Sequence, residues 1–307
     1  MPQLASQSIL NQMAVTPRLR RRPVTTRSLS VRPLTTRHKS EVLAFLAARH
    51  VHTIIMASYI RDNGLVSSLN RGTFYACRDA QGRLQGVALI GHLTLIETRS
   101  REALELFARL TQGCRHARMV VTERQKVKQF WRYYAKARHG MSYLICRELL
   151  YEQKWPIEVR AAVTGLRLAT LDDLDNVVET HARLTHELNG MNPMEIDPQG
   201  FRLRCERRIK QGRVWVWIED GRLIFKADII SDTPEVIYVE GIYVDPAERG
   251  KGHGLRCFAQ LSHILLRRTK SICLLVNEHN RKAQSFYIKA GYKLRGYYDT
   301  IFLPEEN

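Results

Sequence analysis

The stretch Arg249-Gly250-Lys251-Gly252-His253-Gly254 is the part of this chain whose residue types and spacing most directly imply chemistry. Glycines at alternate positions remove Cβ atoms and let consecutive backbone N–H groups converge on one point. The stretch lies between a β-type run, Val236 to Val244, and a segment carrying Leu255, Phe258, Leu261 and Leu265 at helical steps of three and four. A helix that begins there adds unpaired N–H donors and a partial positive charge. A strand-to-helix turn of this kind binds a phosphate or a diphosphate. The run lacks the Lys-Ser or Lys-Thr pair of a Walker loop, and its third glycine comes one residue too early for a dinucleotide turn. The plainer alternative is a flexible glycine turn that caps a helix.

A second motif follows. Ser271 to Val276 reads as a short buried strand, and after it comes NRKAQSFYIKAGY, Asn280 to Tyr292. Ala283, Phe286, Tyr287 and Ala290 share one helical face, and Gly291 suits the left-handed position that ends such a helix. With both stretches in view, the sequence resembles the GNAT superfamily of acetyltransferases, which use acetyl-CoA to acylate amines. RGKGHG is similar to that family's diphosphate loop, and NRKAQSFYIKAGY to its NxxAxxxYxxxGY segment, in the family's order. These motifs cover Glu240 to Tyr292.

The resemblance implies an N-acetyltransferase that passes the acetyl group of acetyl-CoA directly to a primary amine within a ternary complex, without a metal. It assigns Arg249, Gly250, Lys251, Gly252, His253 and Gly254 to the coenzyme's diphosphate. It assigns Ile242, Tyr243 and Val244 to the pantetheine arm, which their strand would meet through its backbone. Gly241 in mid-strand fits a bulge that splays this strand from its neighbour, or a packing glycine. Asn280 caps its helix, hydrogen-bonds the coenzyme arm, or does both. Tyr287 would protonate the departing sulfur; by position alone, a tyrosine on an apolar helix face is a core residue with a satisfied hydroxyl. Glu240 stands where GNAT enzymes place a carboxylate that takes the amine proton. An acid in an apolar strand lines a cavity or marks a solvated strand end. His253 and His279, at a helix start and in a loop, read as structural or exposed.

The elements that must position these residues belong to an α/β (α+β) chain of two GNAT-like domains in tandem. Each is expected to be a mixed, mostly antiparallel twisted sheet flanked by helices. The length of 307 residues suits two domains. An internal echo supports two copies. Val31-Arg32 with its following helix resembles Leu166-Arg167 with its own, and the run from Gly72 resembles the run from Gly212. The expected layout is a basic tail over 1–30, a degenerate domain over 31–151, a connection over 152–163 and the coenzyme-binding domain over 164–304. The first copy passes from Leu93–Glu97 into the helix beginning at Arg101 with no glycine run, so it cannot build the same nest.

Charge divides the halves. Residues 151–307 hold 23 basic and 22 acidic side chains, so of the net +18, residues 1–150 carry +17. That half is either a solvated basic surface or a contact for nucleic acid or an acidic partner. The segment Arg115 to Arg138 interleaves bases with Phe130, Trp131, Tyr133 and Tyr134; its aromatic face is either core or a nucleic-acid contact. An alternative function follows, a CoA-binding regulatory or scaffold protein whose basic half holds such a partner. Six scattered cysteines without a CxxC pair suit a reduced, cytoplasmic protein, and no apolar run is long enough to span a membrane. Monomer and homodimer remain equally open.

Overall fold

The computed structural model describes residues 24–25, 28–135, 144–159 and 161–303, apart from the side chains at 24, 25, 188 and 189. The basic residues before Val24 lie outside the described residues. Contacts divide the described chain into two compact units. One runs to Glu148 and resumes at Gly296; the other is Leu149–Arg295.

The first unit contains β1 (Val24–Thr25), β2 (Leu29–Pro33), α1 (Lys39–Ala47), α2 (His50–Asn63), β3 (Gly72–Asp79), β4 (Leu84–Gly91), β5 (Leu93–Thr98), α3 (Arg101–Gln112), β6 (Met119–Glu123), α4 (Arg124–Tyr134) and the start of β7 (Leu144–Gln153). Strands β1 to β5 pair antiparallel in chain order, and β5 pairs parallel with β6. Among the described residues, strand pairing begins at Val24, inside the segment the sequence assigns to a tail. The other neighbour of β6 comes from the far end of the chain, where Tyr298–Phe302 run antiparallel to Met119–Glu123. Leu106, Phe107, Val120, Phe130 and Ile301 are fully buried together. Trp131 and Tyr133 pack against this core and Tyr134 lies within it, so the aromatic residues of α4 form a core face.

The second unit contains β8 (Leu166–Leu168), α5 (Leu174–Asn189), α6 (Pro193–Ile196), α7 (Pro198–Lys210), β9 (Val214–Glu219), β10 (Arg222–Asp232), β11 (Ile237–Val244), α8 (His253–Leu266), β12 (Ile272–Asn277), α9 (Arg281–Lys289) and the start of β13 (Lys293–Phe302). Strands β8 to β11 pair antiparallel, and β11 pairs parallel with β12. Helices α5 and α7 cover one face, burying Val177, Phe201, Cys205, Val214, Val216 and Tyr243. Asp220 and Gly221 both take positive φ, 49° and 73°, in the tight turn joining β9 to β10.

The expected mixed, mostly antiparallel sheets flanked by helices are present in both units. Their entries match in detail. The Thr35 N–H donates to His38 Nδ1 at 3.1 Å, and the Thr170 N–H to Asp173 Oδ2 at 2.8 Å, each closing a capping box before the first helix.

Candidate active site

Two parallel strands part company here. Strand β11 pairs with β12 at Ile237–Ile272 and Tyr238–Cys273, although the strands continue to Val244 and Asn277. A distortion lies on the other side of β11. Lys226 of β10 faces Tyr243 and Asp228 faces Glu240, so Gly241 and Ile242 together oppose the single residue Ala227. That is a β-bulge, with Gly241 at φ +60°, and a bulge bends the strand that carries the extra residue. The glycine meets both expectations, taking a positive φ at a bulge and leaving no room for a Cβ against β10. Beyond it, Ile242 and Val244 are half-buried, while Tyr243 points into the α5/α7 core. The Tyr243 phenol oxygen accepts a hydrogen bond from Arg183, whose guanidinium also stacks over the ring at 5.1 Å. Only the backbone of Tyr243 is left to meet a ligand.

The glycine run follows directly. Gly250 and Gly252 adopt φ of +82° and +84°, and a Cβ on either would meet nothing within 4 Å. Their role is therefore conformational, turning the chain so that α8 begins at His253 with Gly252 as its cap. Gly254 differs. Its Cβ would fall 2.7 Å from Val244 Cγ2, so the start of α8 is seated on the end of β11. The side chains around the turn are largely engaged. Arg249 Nε donates to the Val244 carbonyl at 3.1 Å, and Lys251 Nζ pairs with Glu248 at 3.0 Å. His253 packs edge-on against Trp217, with ring centroids 5.2 Å apart, and its Nε2 lies 3.5 Å from Glu248. This turn offers main-chain amides and a helix dipole to an anion.

Beyond β12, the Asn280 side chain accepts from the Ala283 N–H at 3.0 Å and caps α9. The helix ends as its glycine requires. Gly291, at φ +89°, donates to the Ile288 carbonyl and Tyr292 to that of Tyr287, both at 3.0 Å. Tyr287 is buried on this helix, its ring against Phe258, Phe286 and Tyr292 at centroid distances of 5.9, 5.4 and 6.0 Å. Burial, and then the charge of Glu240, push its phenol well above the usual tyrosine range, so it stays a proton donor at neutral pH. Glu240 is itself buried, and the Tyr238 hydroxyl donates to its carboxylate. The two groups are close enough for the carboxylate charge to act on the phenol. His279 is exposed, next to Glu278 at 3.7 Å.

Reading the sequence missed three features. Tyr238 supports Glu240 two residues along the same strand face. Lys226 and Asp228, also two apart on one face, form a buried ion pair with Nζ to Oδ2 at 2.5 Å. The signal for that pair was opposite charges at alternate positions of an apolar strand. The third is that Tyr297–Phe302, at the far end of the chain, belong with the first unit. There Arg124 lies 5.1 Å over Tyr297, and Tyr298 meets His52 at 2.9 Å. In the first unit only Arg99 and Ser100 separate β5 from α3, and Ser100 caps the helix by accepting from Ala103 at 3.2 Å, so no glycine turn forms. Among the described residues, no group of three or more His, Cys, Asp or Glu could hold a metal ion, and no helix is long and apolar enough to cross a membrane.

Residues 181–292 match the model of the acetyltransferase (GNAT) family. No curated protein matches the sequence. Among solved structures, an acetyltransferase from the GNAT family of Colwellia psychrerythraea is 11% identical, with TM-score 0.56 over 89% of this chain and 98% of that one. A Drosophila protein is 13% identical, with TM-score 0.64 over 90% of this chain and 99% of its own. A tandem GNAT protein from the clavulanic acid biosynthesis pathway is 12% identical, with TM-score 0.57 over 91% and 99%. At these identities the likeness is one of fold.

Proposed function

We propose that this chain, whose residues 181–292 form a GNAT-family domain, is an N-acetyltransferase that moves the acetyl group of acetyl-CoA to a primary amine. The observation that carries this reading is the parting of β11 from β12 beside a glycine turn seated on the end of β11. The gap frees one backbone edge of β11 for an amide-bearing arm, and the turn at its end suits a diphosphate.

In this reading the Gly250–Gly254 amides hold the diphosphate, with Arg249, Lys251 and His253 around them. The backbone of Ile242, Tyr243 and Val244 pairs with the pantetheine arm, and Asn280 fixes the start of α9. Glu240 takes the proton from the attacking ammonium group, directly or through water. The free amine adds to the thioester carbon, and a β11 N–H stabilises the resulting oxyanion. As the C–S bond breaks, Tyr287 gives its proton to the thiolate and the nitrogen's remaining extra proton restores the phenol through water, leaving CoA and the amide, while Glu240 returns its proton to solvent. Direct transfer needs no metal. The setting we propose is the cytoplasm, with the chain acting as a monomer or homodimer. Thiol release from acetyl-CoA, followed for the full chain against a panel of small amines and peptide amino groups, tests the reading. Release dependent on one acceptor supports it; release independent of every acceptor does not.

A second reading has one observation in its favour. The first unit carries a cavity of about 590 Å³ lined by Arg49, Arg99, Arg101 and Lys126, of which Arg49 and Lys126 are paired with Glu97 and Glu123 behind them. Such a wall suits a regulatory or scaffold protein whose basic half holds nucleic acid or an acidic partner. Gel retardation with a steep salt dependence, in the absence of acetyl transfer, would favour it.

A further inference from the structure

The second unit buries a charged cluster that the proposed reaction does not use. Lys226 and Asp228 are 0% and 1% exposed on β10. One oxygen, Asp228 Oδ2, gathers three nitrogen groups: Lys226 Nζ at 2.5 Å, His181 Nδ1 of α5 at 3.2 Å and Arg208 Nη1 of α7 at 3.4 Å. Lys226 Nζ also lies 3.3 Å from His181 Nδ1. A buried ion pair is weak evidence for stability, because well-packed apolar residues of the same volume do as well or better. Its position is therefore the informative property. Lys226 and Asp228 are the two β10 residues that bracket the bulge, facing Tyr243 and Glu240. The bulge glycine lies directly on them: a Cβ at Gly241 would fall 2.7 Å from Asp228 Oδ2 and 3.3 Å from Lys226 Nζ.

We propose that Lys226 and Asp228, anchored by His181 and Arg208, are positioning residues that hold the Gly241 bulge and so keep β11 parted from β12. The proposal rests on the acetyltransferase reading for its purpose, but its structural content does not depend on it. Two opposite charges locked across a single residue fix the β10 backbone on either side of Ala227. The extra β11 residue then has one place to go. Without the charges, β11 can shed the bulge and zip further along β12, closing the edge that a coenzyme arm would occupy.

The test is the full chain with Lys226→Met and Asp228→Leu together, which replaces both charges with apolar groups of similar size. Amide hydrogen exchange of Val239–Val244 is measured without any ligand, alongside thermal denaturation and calorimetric titration with CoA. The expected result is a melting temperature near that of the parent, slower exchange along β11 by about tenfold and CoA affinity weaker by about tenfold. Unchanged β11 exchange in the folded variant overturns the proposal. If that variant does not fold, Lys226→Gln with Asp228→Asn keeps the shape and one hydrogen bond, and the same slowing is expected. Failure of both variants to fold also overturns it, because the pair would then be structural. A parent protein that binds no CoA sinks the acetyltransferase reading, and the exchange result still decides the role of the pair.

Discussion

Gly254 of α8 rests against the side chain of Val244 at the end of β11, close enough that a methyl group on the glycine would come to 2.7 Å from Cγ2. The helix that supplies a positive mouth is thus keyed to the strand whose freed edge lies next to it. Gly254→Ala forces the two apart. Overpacking of this kind costs about 1–3 kcal/mol. Chemical denaturation should show a loss in that range, and calorimetry a CoA affinity weaker by at least tenfold.

Gly252→Asp separates binding from folding. Nothing lies within 4 Å of a Cβ at this position, so the side chain has room, and aspartate is among the residues that best tolerate left-handed backbone. A carboxylate at a helix start also favours the helix dipole. The melting temperature should stay within a few degrees of the parent, while CoA binding falls below calorimetric detection. Retained affinity would remove the diphosphate from this turn.

Tyr287→Phe should lower turnover about 100- to 10,000-fold, the range for losing a positioned general acid, with CoA affinity within twofold of the parent. Equal losses in both would make the ring a packing group alone. The parent's pH profile carries a second sign. Burial and the Glu240 charge raise the phenol's pKa, so Tyr287 remains protonated through the usual tyrosine range. Turnover should show no basic limb at the ordinary tyrosine value, and one that appears there must belong to another group.

His181 predicts a stability change with acid. Burial first, then the Lys226 charge, lower its pKa to about 4, against the opposing pull of Asp228, and Arg208 adds in the same direction as Lys226. The unfolded chain therefore takes up a proton near the ordinary histidine value, while the folded one does not. Stability from this group is complete above that value and drains away as pH falls toward about 4. His52 is lowered too and acts in the same sense. Denaturant midpoints between pH 7 and 4.5 should fall for the parent and fall less steeply for His181→Gln. Identical slopes would mean that His181 is protonated in the folded protein.

Much of the site was legible because its signals are local. The glycines of the turn, the Asn280 cap and the Gly291 helix stop each encode a backbone conformation within a few residues. Gly241 marked either a bulge or a close approach for the same reason. The Lys226–Asp228 pair was not legible, because its meaning depends on which β11 residues oppose it, and register is a long-range property. The partner of Tyr298–Phe302 was hidden for a related reason. Alternating apolar residues mark a strand but do not name its neighbour. In the α4 segment the structure chose between two readings, by burying Phe130 and Tyr134 against α3 and Ile301. Opposite-charge pairs absorbed part of the basic surface as well. Arg49 bridges Glu97 and Glu123 at 3.0 and 2.7 Å, holding the Glu123 carboxyl down at about 2.

The most direct test is a crystal structure of the full chain with CoA. The account predicts diphosphate oxygens within hydrogen-bonding distance of the backbone N–H groups from Gly250 to Gly254, the arm along the free edge of β11, and the sulfur beside the Tyr287 hydroxyl. Coenzyme bound elsewhere, or a closed gap between β11 and β12 with nothing in it, would contradict it.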